Sequence, residues 1–509
     1  MKTQTLFETW LPVPDTGART RKLPLLTTSL AFALVCAPGL LCSVALAGQI
    51  REDRDDGPGH QERHSQGYVF TKVAALGDPA PGPEAGTFIG DFEPYAINER
   101  GEVGFAADLS YDAVNDAAEG LFAGKPGQVR QIIRGGEAAP GGGTFGGLGI
   151  FGFLGLNNAG DISFCFGLDP FMTPLGVNAG VYRYSHKTRT LSAIVVPGET
   201  SAPGGGTFVG GDYYTGINER GDVVFTGKFS GPPCTTAPCF DGLRDGVFLD
   251  SAKGLVAVVR PGDAGPGGTV FDMAENPSIN DRGDIAFDGH VTADECINLG
   301  TPQSFRIVCG ASVYVKTAKG DIRSIAHQGA PAPGGGTYRL AFGGILNNRG
   351  DLVFIGDLTP PPGIGDALAV FLHTAEGNIA VARPGYAMPG GGHLVRASFR
   401  GSNYYVNSRS DVVFNGALDA THKDFNGDTI ADTGLYVWSR GALRLVARTG
   451  TVVPGVGTID TLHNPFAFDP TNALQDPTGG ALVNDHGQVF FQAILTDGND
   501  VLLVATPKE

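Results

Sequence analysis

The feature that most constrains the fold of this chain is a repeated tetrapeptide, Asn-x-x-Gly, which has Ser in place of Gly in one copy. Successive asparagines are 59, 61, 62, 67, 60 and 77 residues apart. Self-similarity at one period is typical of architectures built from copies of a single structural unit. The asparagines are Asn98, Asn157, Asn218, Asn280, Asn347, Asn407 and Asn484.

Two further motifs keep the same phase and divide each copy into four short strands. A Pro-Gly-rich loop precedes the asparagine, as at residues 203–207, and an aromatic strand follows it, as at residues 246–248. We name the strands A to D: A follows the Pro-Gly loop, B follows Asn-x-x-Gly, C carries the aromatic residue, and D ends the copy. Short strands of β-branched and aromatic residues bounded by turn residues are typical of half-buried antiparallel strands.

The strands at the two ends of the chain predict a closed ring. The first strand, at residues 70–76, is of type D, whereas the last, at residues 501–504, is of type C. The first strand is therefore expected to complete the last copy, whereas an open stack would end in added caps and the coils of a β-helix are far shorter. We predict an all-β fold: a seven-bladed β-propeller with four antiparallel strands per blade, closed by the N-terminal strand.

The glycine-rich motifs predict structure rather than chemistry. The Asn side chain can bond the backbone two residues on, and Gly supplies the positive φ that closes an A to B hairpin. Residues 147–152 match Gly-x-Gly-x-x-Gly, but neither they nor the Pro-Gly loops precede a predicted helix or carry the Lys of a phosphate-binding loop. We therefore assign no nucleotide site to them.

One copy, residues 280–287, reads NDRGDIAF, and every other copy keeps the Asn and the final Phe. This repeat resembles the tandem NxxGxxAF repeats of bacterial exported proteins with variable C-terminal anchors. The resemblance spans nearly all of residues 68–507 and implies a β-propeller-like fold, but it brings no activity because that family has no assigned function. The chain departs from the family in ending without a sorting signal or hydrophobic tail, so we expect free secretion.

The first 67 residues predict a targeting segment and a leader. A basic flank at residues 19–22, an apolar stretch at 23–41 and a small-x-small site at 45–47 predict a cleaved signal peptide over residues 1–47. Pro38 and Gly39 disfavour a retained anchor, and the large residues before Cys36 and Cys42 disfavour lipidation. Residues 48–67 predict a disordered polar leader, and residues 68–509 a single domain in the periplasm or outside the cell.

The charge of the mature chain excludes two classes of binding partner. The formal net charge is −16, and no cluster of Lys and Arg follows the signal peptide. Nucleic acid and anionic membrane surfaces both need such clusters, so neither is an expected partner. We expect a monomer.

Five cysteines remain after signal cleavage. Cys234 and Cys239 share one short loop, and Cys296 and Cys309 bracket another, so two local disulfides are the natural pairing in an oxidising compartment. Cys165 is then expected to be a buried thiol in a strand. The alternative, a zinc site, needs four closely spaced ligands, which neither loop supplies.

Residues 424–432, which read DFNGDTIAD, predict a calcium loop. Oxygen donors at this spacing suit Ca²⁺, and the segment resembles the short calcium loops of integrin-type propeller repeats and the start of an EF-hand loop. Thr429 stands where Gly is usual, no bidentate Glu follows, and a plain Asx-rich turn is the alternative. The predicted ligands are Asp424, Asn426, Asp428, the carbonyl group of Ile430, and Asp432.

The part of each copy that varies most is the B to C loop, whereas the A to B and C to D turns are short. Variable loops on a fixed scaffold are where binding usually occurs, so we predict a binding or surface-interaction module for a glycan, peptide or protein. A secreted hydrolase or lyase and a structural envelope protein are the alternatives. Neither Gly-x-Ser-x-Gly nor His-Glu-x-x-His occurs, so no catalytic residue is predicted.

Strand A is expected to line the central channel, where polar residues that differ between copies are candidates for binding. They are suited either to acid and base chemistry or to a polar lining around trapped water. The candidates are Asp91, Asp212, Asp272, Arg396, Asp460 and His463.

Overall fold

The computed structural model describes residues 67–82, 86–110, 117–150, 154–173, 176–230, 243–291, 296–298, 307–359, 367–397, 404–462 and 480–508. Within these ranges the chain forms seven antiparallel sheets with strand positions A to D from the centre outward, and one separate two-stranded ribbon. The predicted seven-bladed β-propeller is confirmed. No helix among these residues is long and apolar enough to cross a membrane.

The first three blades follow the A to D order along the chain, and strand A of blade 2 is in two pieces. Blade 1 holds β2 (Thr87–Ile97), β3 (Val103–Ser110), β4 (Ala117–Gly124) and β5 (Arg130–Arg134); blade 2 holds β6 (Phe145–Ile150), β7 (Gly155–Leu156), β8 (Ile162–Thr173), β9 (Gly176–Ser185) and β10 (Thr190–Val195); blade 3 holds β11 (Phe208–Ile217), β12 (Val223–Ser230), β13 (Leu243–Ser251) and β14 (Gly254–Val259).

Blade 4 follows a short 3-10 helix (Pro266–Gly268) and carries an extra two-stranded ribbon, β17 (Cys296–Asn298) with β18 (Ile307–Cys309), between strands B and C. The other strands of blade 4 are β15 (Phe271–Ile279), β16 (Ile285–Val291), β19 (Ser312–Lys316) and β20 (Ile322–Ala326). Blade 5 holds β21 (Tyr338–Leu346), β22 (Leu352–Leu358), β23 (Ala367–Thr374) and β24 (Gly377–Ala382).

In the last two blades strand A is again in two pieces. Blade 6 holds β25 (Leu394–Ala397), β26 (Tyr404–Val406), β27 (Val412–Lys423), β28 (Thr429–Ser439) and β29 (Ala442–Arg448); blade 7 holds β30 (Val452–Val453), β31 (Gly457–Thr461), β32 (Ala481–Val483), β33 (Val489–Leu495) and β34 (Asp500–Pro507), and is completed by β1 (Tyr68–Ala75).

The ends of the chain meet in blade 7. Strand β1 pairs antiparallel with β34, from Tyr68 opposite Pro507 to Ala75 opposite Val501. Blade 7 therefore takes its strand D from the N-terminus and its strands A to C from the C-terminus, as the strand order predicts. Because the N-terminal strand pairs with the C-terminal strand, blade 7 has all four strands and the ring of blades is closed.

The aromatic residues of the repeat contact one another within a blade and pack in the core between neighbouring blades. In blade 3, Phe225 of strand B stacks on Phe248 of strand C at 5.8 Å, and Phe208 of strand A meets Phe248 edge-on at 4.7 Å. Blade 5 uses Tyr338, Phe354 and Phe371 in the same way. Offset and edge-on contacts are the favoured geometries of aromatic pairs, so the recurring Phe and the aromatic strand of each copy have one shared packing role.

Candidate functional site

The two ends of the ring differ in construction. The end that carries the Asn-x-x-Gly turns and the C to D turns is called the turn end, and the end that carries the Pro-Gly loops and the B to C loops is called the loop end. Residues 111–116, 231–242 and 360–366 of the B to C loops lie outside the described residues.

At the turn end, the repeated asparagines join neighbouring blades. The Oδ1 atom of Asn280 accepts the N–H groups of Arg282 and Asp284 at 3.1 and 3.0 Å, which makes the predicted turn. Its Nδ2 atom donates to the main-chain oxygen of Asn347 in the next blade at 3.1 Å. The same amide contact links all seven asparagines at 2.9 to 3.4 Å and closes from Asn484 to Asn98. The repeat is therefore a turn former and an inter-blade bond at once.

The residues after these asparagines surround a polar pocket of about 220 Å³ at the mouth of the channel. Their side chains accept main-chain N–H groups of the neighbouring blade, as when Asp281 accepts from Glu219 at 2.8 Å and Glu99 from Asp485 at 2.9 Å. Burial raises the pKa of both Glu99 and Glu219. These carboxylates hold the turns of adjacent blades together.

Deeper in the channel, the residues before the asparagines form an aliphatic collar. Beyond the collar lies a cavity of about 130 Å³, to which Asn276 and Ser278 contribute polar groups. Tyr405 lines both this cavity and the mouth pocket. Burial, followed by the nearby carboxylates of Glu99 and Asp485, raises the pKa of Tyr405 to about 12. The collar consists of Ile97, Leu156, Ile217, Ile279, Leu346, Val406 and Val483.

At the loop end, arginines bind the Pro-Gly loops. Arg260, which follows strand D of blade 3, donates to the carbonyl oxygens of Pro203 at 2.6 Å and Gly205 at 2.8 Å, in the loop that enters the same blade. The guanidinium lies 4.4 Å from the ring centre of Phe229. Arg383 and Arg448 bind the loops at residues 333–335 and 390–391 in the same way. Recurrence of Arg at the end of strand D is the sequence signal that would have revealed these contacts.

A β-bulge near the start of strand A decides where several candidate channel residues lie. The pairing of strands A and B skips Asp272 in blade 4 and Asp460 in blade 7, and in blade 6 it resumes at Arg396. Bulges re-aim a side chain and are common beside functional sites. These three candidates belong to three different blades. Asp91 and Asp212 lie in β2 and β11 with side chains that are not described, and His463 lies outside the described residues.

Asp460 takes part in a charged network between blades 6 and 7. Its Oδ1 atom lies 3.2 Å from Nε2 of His422, whose Nδ1 atom lies 3.0 Å from Oδ1 of Asp432. Arg448 donates to the other oxygen of Asp432 at 3.3 Å, and the N–H group of Phe425 donates to Asp460 at 3.2 Å. Both nitrogens of the imidazole are engaged, so the network fastens the β27–β28 hairpin to blade 7. Sequence reasoning missed His422 because 38 residues separate it from Asp460.

The predicted calcium loop forms the tip of this hairpin. The Oδ1 atom of Asp424 accepts the N–H groups of Asn426 at 3.0 Å and Asp428 at 2.7 Å, and Gly427 has a φ of 86°. The segment is thus an Asx turn of the Asn-x-x-Gly type, and the carboxylate of Asp432 is bound to His422 and Arg448. In the described part of the chain, no group of three or more His, Cys, Asp or Glu residues is placed to hold a metal ion. The predicted calcium site also uses oxygen atoms of Asn426 and Ile430, which are outside these four residue types. Calcium binding therefore stays a prediction.

Exposed apolar side chains are unevenly distributed over the described residues. Three lie on outermost strands: Val69, Val256 and Ile379. Among the described residues, none of the large exposed apolar side chains lies in an Asn-x-x-Gly turn. The remaining five lie at the loop end, in the Pro-Gly loops or the first residues of strand A: Ile89 (47% exposed), Val270 (39%), Tyr386 (40%), Val395 (49%) and Val452 (68%).

The cysteines are placed as follows. Cys296 and Cys309 face each other as Cα partners in the β17–β18 ribbon. Cys165 is fully buried in β8, as expected. Cys234 and Cys239 lie outside the described residues. The two disulfides therefore stay predictions, and the ribbon register is compatible with the second of them.

Comparison with known proteins identifies a family but no relative of assigned activity. A model described as a family of unknown function (DUF7453) matches residues 42–506. No curated protein matches the chain.

Solved structures with a similar fold include an oligogalacturonate lyase in complex with manganese, which is 12% identical with a TM-score of 0.44 over 87% of this chain and 97% of that one. The β-propeller domain of the Trilobed protease from Pyrococcus furiosus is 8% identical with a TM-score of 0.43, over 82% and 94% of the two chains. A polysaccharide lyase, an ulvan lyase, is 10% identical with a TM-score of 0.40, over 85% and 95%.

Proposed function

The chain belongs to the family of unknown function DUF7453, and we propose that it is a binding module whose loop end holds a peptide or protein outside the cytoplasm. The observation that carries this proposal is the concentration of exposed apolar side chains at that end. The five side chains belong to blades 1, 4, 6 and 7, whose loops share this end of the ring. Apolar groups exposed on one face of a protein are typical of interaction surfaces. Each turn-end asparagine, by contrast, already bonds the next blade.

The composition of the loop end favours a peptide or protein over a glycan. Four of its five exposed apolar side chains are aliphatic, and Tyr386 is the aromatic one. Aliphatic and aromatic anchors surrounded by polar groups are typical of protein interfaces. Trp438 packs against the core between blades 5 and 6, so it is not among the exposed side chains of the loop end. A glycan remains the alternative ligand.

The test compares matched substitutions at the loop end and on the outermost strands. Panels of soluble peptides and glycans are screened against the secreted protein, and the hits are measured by titration with Val395→Asp and Val452→Asp. Val256→Asp and Ile379→Asp, also at exposed positions, are the controls. We expect the first pair to weaken binding at least about tenfold, as loss of an interface anchor does, and the controls to leave it unchanged. Equal effects from both pairs, or ligands that none of the four affects, would refute a loop-end site.

The second candidate is a secreted hydrolase or lyase with an acid and base site. One observation favours it: His422 lies between the carboxylates of Asp432 and Asp460 at hydrogen-bonding distance, an arrangement that orients the imidazole ring. Turnover of a glycan or peptide that Asp460→Ala abolishes, while the exposed control Asp497→Ala retains it, would support this candidate over the binding module. Absence of turnover together with loop-end binding would reject it.

A further inference from the structure

Asp288 is a buried carboxyl group that no motif of the sequence singles out. It lies in β16, the second strand of blade 4, and is 1% exposed. Its neighbours across the sheet are Glu275 in β15 and Val313 in β19. A buried carboxyl group needs hydrogen-bond donors or a proton, because the ionised form loses its hydration.

The donors come from both sides of the seam between blades 4 and 5. The side-chain amide of Asn276 donates to Asp288 at 2.9 Å. The main-chain N–H group of Gly343, in β21 of blade 5, points at both carboxyl oxygens, at 2.8 and 2.9 Å. The carbonyl oxygen of Gly343 accepts the hydroxyl of Tyr404 in blade 6 at 2.8 Å. One residue of blade 5 is thus held by its neighbours on both sides.

Gly343 can be held in this way because its backbone leaves the regular ladder. It has a φ of 70°, and the pairing of β21 with β22 is irregular between Phe342 and Ile345. A Cβ atom here would collide with the hydroxyl group of Tyr404. The N–H group released by the irregularity must find an acceptor outside its own sheet, and Asp288 supplies it.

At the seam between blades 3 and 4, a main-chain N–H group released in the same way finds an acceptor that cannot ionise. Asn276 of blade 4 has a φ of 53°, and its main-chain N–H group donates to the hydroxyl of Thr226 in blade 3 at 3.0 Å. Thr226 and Asp288 both lie eight residues after the asparagine of their copy, Asn218 and Asn280. A neutral hydroxyl is therefore sufficient for the structural task, and the carboxyl group of Asp288 adds a property that the task does not require.

That property is proton binding. Burial raises the pKa of Asp288 to about 7, against the opposing effect of the hydrogen bonds from Asn276 and Gly343. The charged groups that act on it are Glu275, which raises the pKa, and His290, which lowers it. Nε2 of His290 lies 3.6 Å from a carboxylate oxygen of Glu275. Blade 5 contributes the N–H group of Gly343.

We propose that Asp288 is a proton-binding switch in the channel wall, which is neutral when protonated and places a buried charge at the seam between blades 4 and 5 when ionised. Asn276 and Gly343, its two donors, both line the channel cavity, so a change at Asp288 reaches the cavity directly. A carboxyl group whose pKa is raised in the folded state contributes stability that is fully present below its unfolded value of 3.8. That contribution is lost as the pH rises through about 7. This switch does not depend on the proposed binding function.

The first test is the pH dependence of stability in the full secreted chain. Melting temperatures of the wild type and of Asp288→Asn are measured from about pH 5 to about pH 9, a range that brackets the raised pKa. We expect the wild type to lose stability across the range and Asp288→Asn to lose less, so that the variant gains relative to the wild type as the pH rises. Asp357→Asn is the control, because Asp357 is equally buried but paired with Arg339. It should destabilise the protein without flattening the profile.

The second test does not require that the variant fold. The infrared carboxyl band of the wild type is titrated over the same range, and amide exchange at Gly343, corrected for its intrinsic rate, is followed in parallel. We expect a protonated carboxyl group to ionise near neutral pH and exchange at Gly343 to change with the same midpoint. Asp288→Thr, which copies Thr226, should abolish both changes. Parallel pH profiles for the wild type and both variants, or a carboxyl group that is ionised throughout the range, would overturn the proposal.

Discussion

The side-chain amide of Asn484 donates a hydrogen bond of 3.0 Å to the main-chain oxygen of Asn98, 386 residues earlier in the chain. This bond joins blade 7 to blade 1 and is the closing member of the ring that links all seven repeats, whereas β1 pairs with β34 inside blade 7. Closure of the propeller therefore rests on strand pairing and on the repeat motif together.

Replacement of Asn484 by Asp should weaken the ring closure. The carboxylate keeps the acceptor for its own turn but removes the N–H donor and places a buried charge against a carbonyl oxygen. We expect a loss of about 2–4 kcal/mol in the free energy of unfolding, together with faster amide exchange in β1 and β34. Asn426→Asp, an exposed asparagine in the hairpin tip, should change the stability by less than about 0.5 kcal/mol. Equal losses in the two variants would contradict a structural role for the ring.

Replacement of Arg260 by Lys should loosen the Pro-Gly loop of blade 3. A single ammonium group cannot reach two carbonyl oxygens and stack on Phe229 as the planar guanidinium does. We expect a loss of about 1 kcal/mol in unfolding experiments and increased proteolysis at residues 203–207. Arg323→Lys, at an exposed position on strand D of blade 4, is the control and should have little effect.

Replacement of Glu99 by Gln should stabilise the protein as the pH rises. Burial raises the pKa of Glu99, so its stabilising contribution is present below the ordinary value of 4.5 and declines as the pH rises through the raised value. Gln cannot ionise and still accepts the N–H group of Asp485. The melting temperature of the variant relative to the wild type should therefore increase from acidic to neutral pH.

Glu102→Gln provides a control with the opposite sign. Although burial opposes it, hydrogen bonds from Asn98 and Arg100 lower the pKa of Glu102, so its contribution is present above the ordinary value and is lost as the pH falls. This variant should be less stable than the wild type at neutral pH and approach it under acidic conditions. The same direction of change in both variants would refute the assignment of Glu99.

Calcium should raise the melting temperature if the hairpin tip binds it. The Oδ1 atom of Asp424 already accepts two N–H groups, so a metal would be bound chiefly by the other oxygens of the loop. We expect a calcium titration to shift the melting temperature of the wild type, and Asp424→Asn with Asp428→Asn to abolish the shift. Asp497→Asn is the matched exposed control. No shift in the wild type would leave a plain Asx turn.

Cys296 and Cys309 should be linked in the protein prepared under oxidising conditions. Cα partners of an antiparallel pair lie within the range that a disulfide spans, and an isolated ribbon of two short strands is barely stable without a cross-link. Peptide mapping without reduction should find these cysteines joined, with Cys165 modified by alkylating reagents only after unfolding. A link between Cys296 and Cys234 or Cys239 would show that the predicted pairing is wrong.

Much of the fold follows from the sequence because the determining contacts are local. The turn at Asn280 uses donors two and four residues away, so the motif can be recognised from its own letters. The number of blades follows from counting copies, and the position of β1 follows from the strand type at each end of the chain. The buried Phe of each copy is likewise visible as a repeated letter.

The candidate site could be predicted only in part, because its contacts join distant segments. Asp460 is identifiable as a residue that differs between copies, but its partner His422 lies 38 residues away in another blade. Gly343 lies 55 residues from Asp288, and neither belongs to a recognisable motif. The expectation that the asparagines only form turns was incomplete for the same reason, since their amide groups bond across blades.

By itself, the sequence determined the repeated unit, its turns and the way in which the ends of the ring join, because hydrogen bonds within a few residues and strand periodicity are written in adjacent positions. Only the tertiary structure decided which polar groups are buried against one another. Burial and the approach of another blade set the bonding and pKa of groups such as Asp288, and both depend on residues that the chain brings together only when it closes.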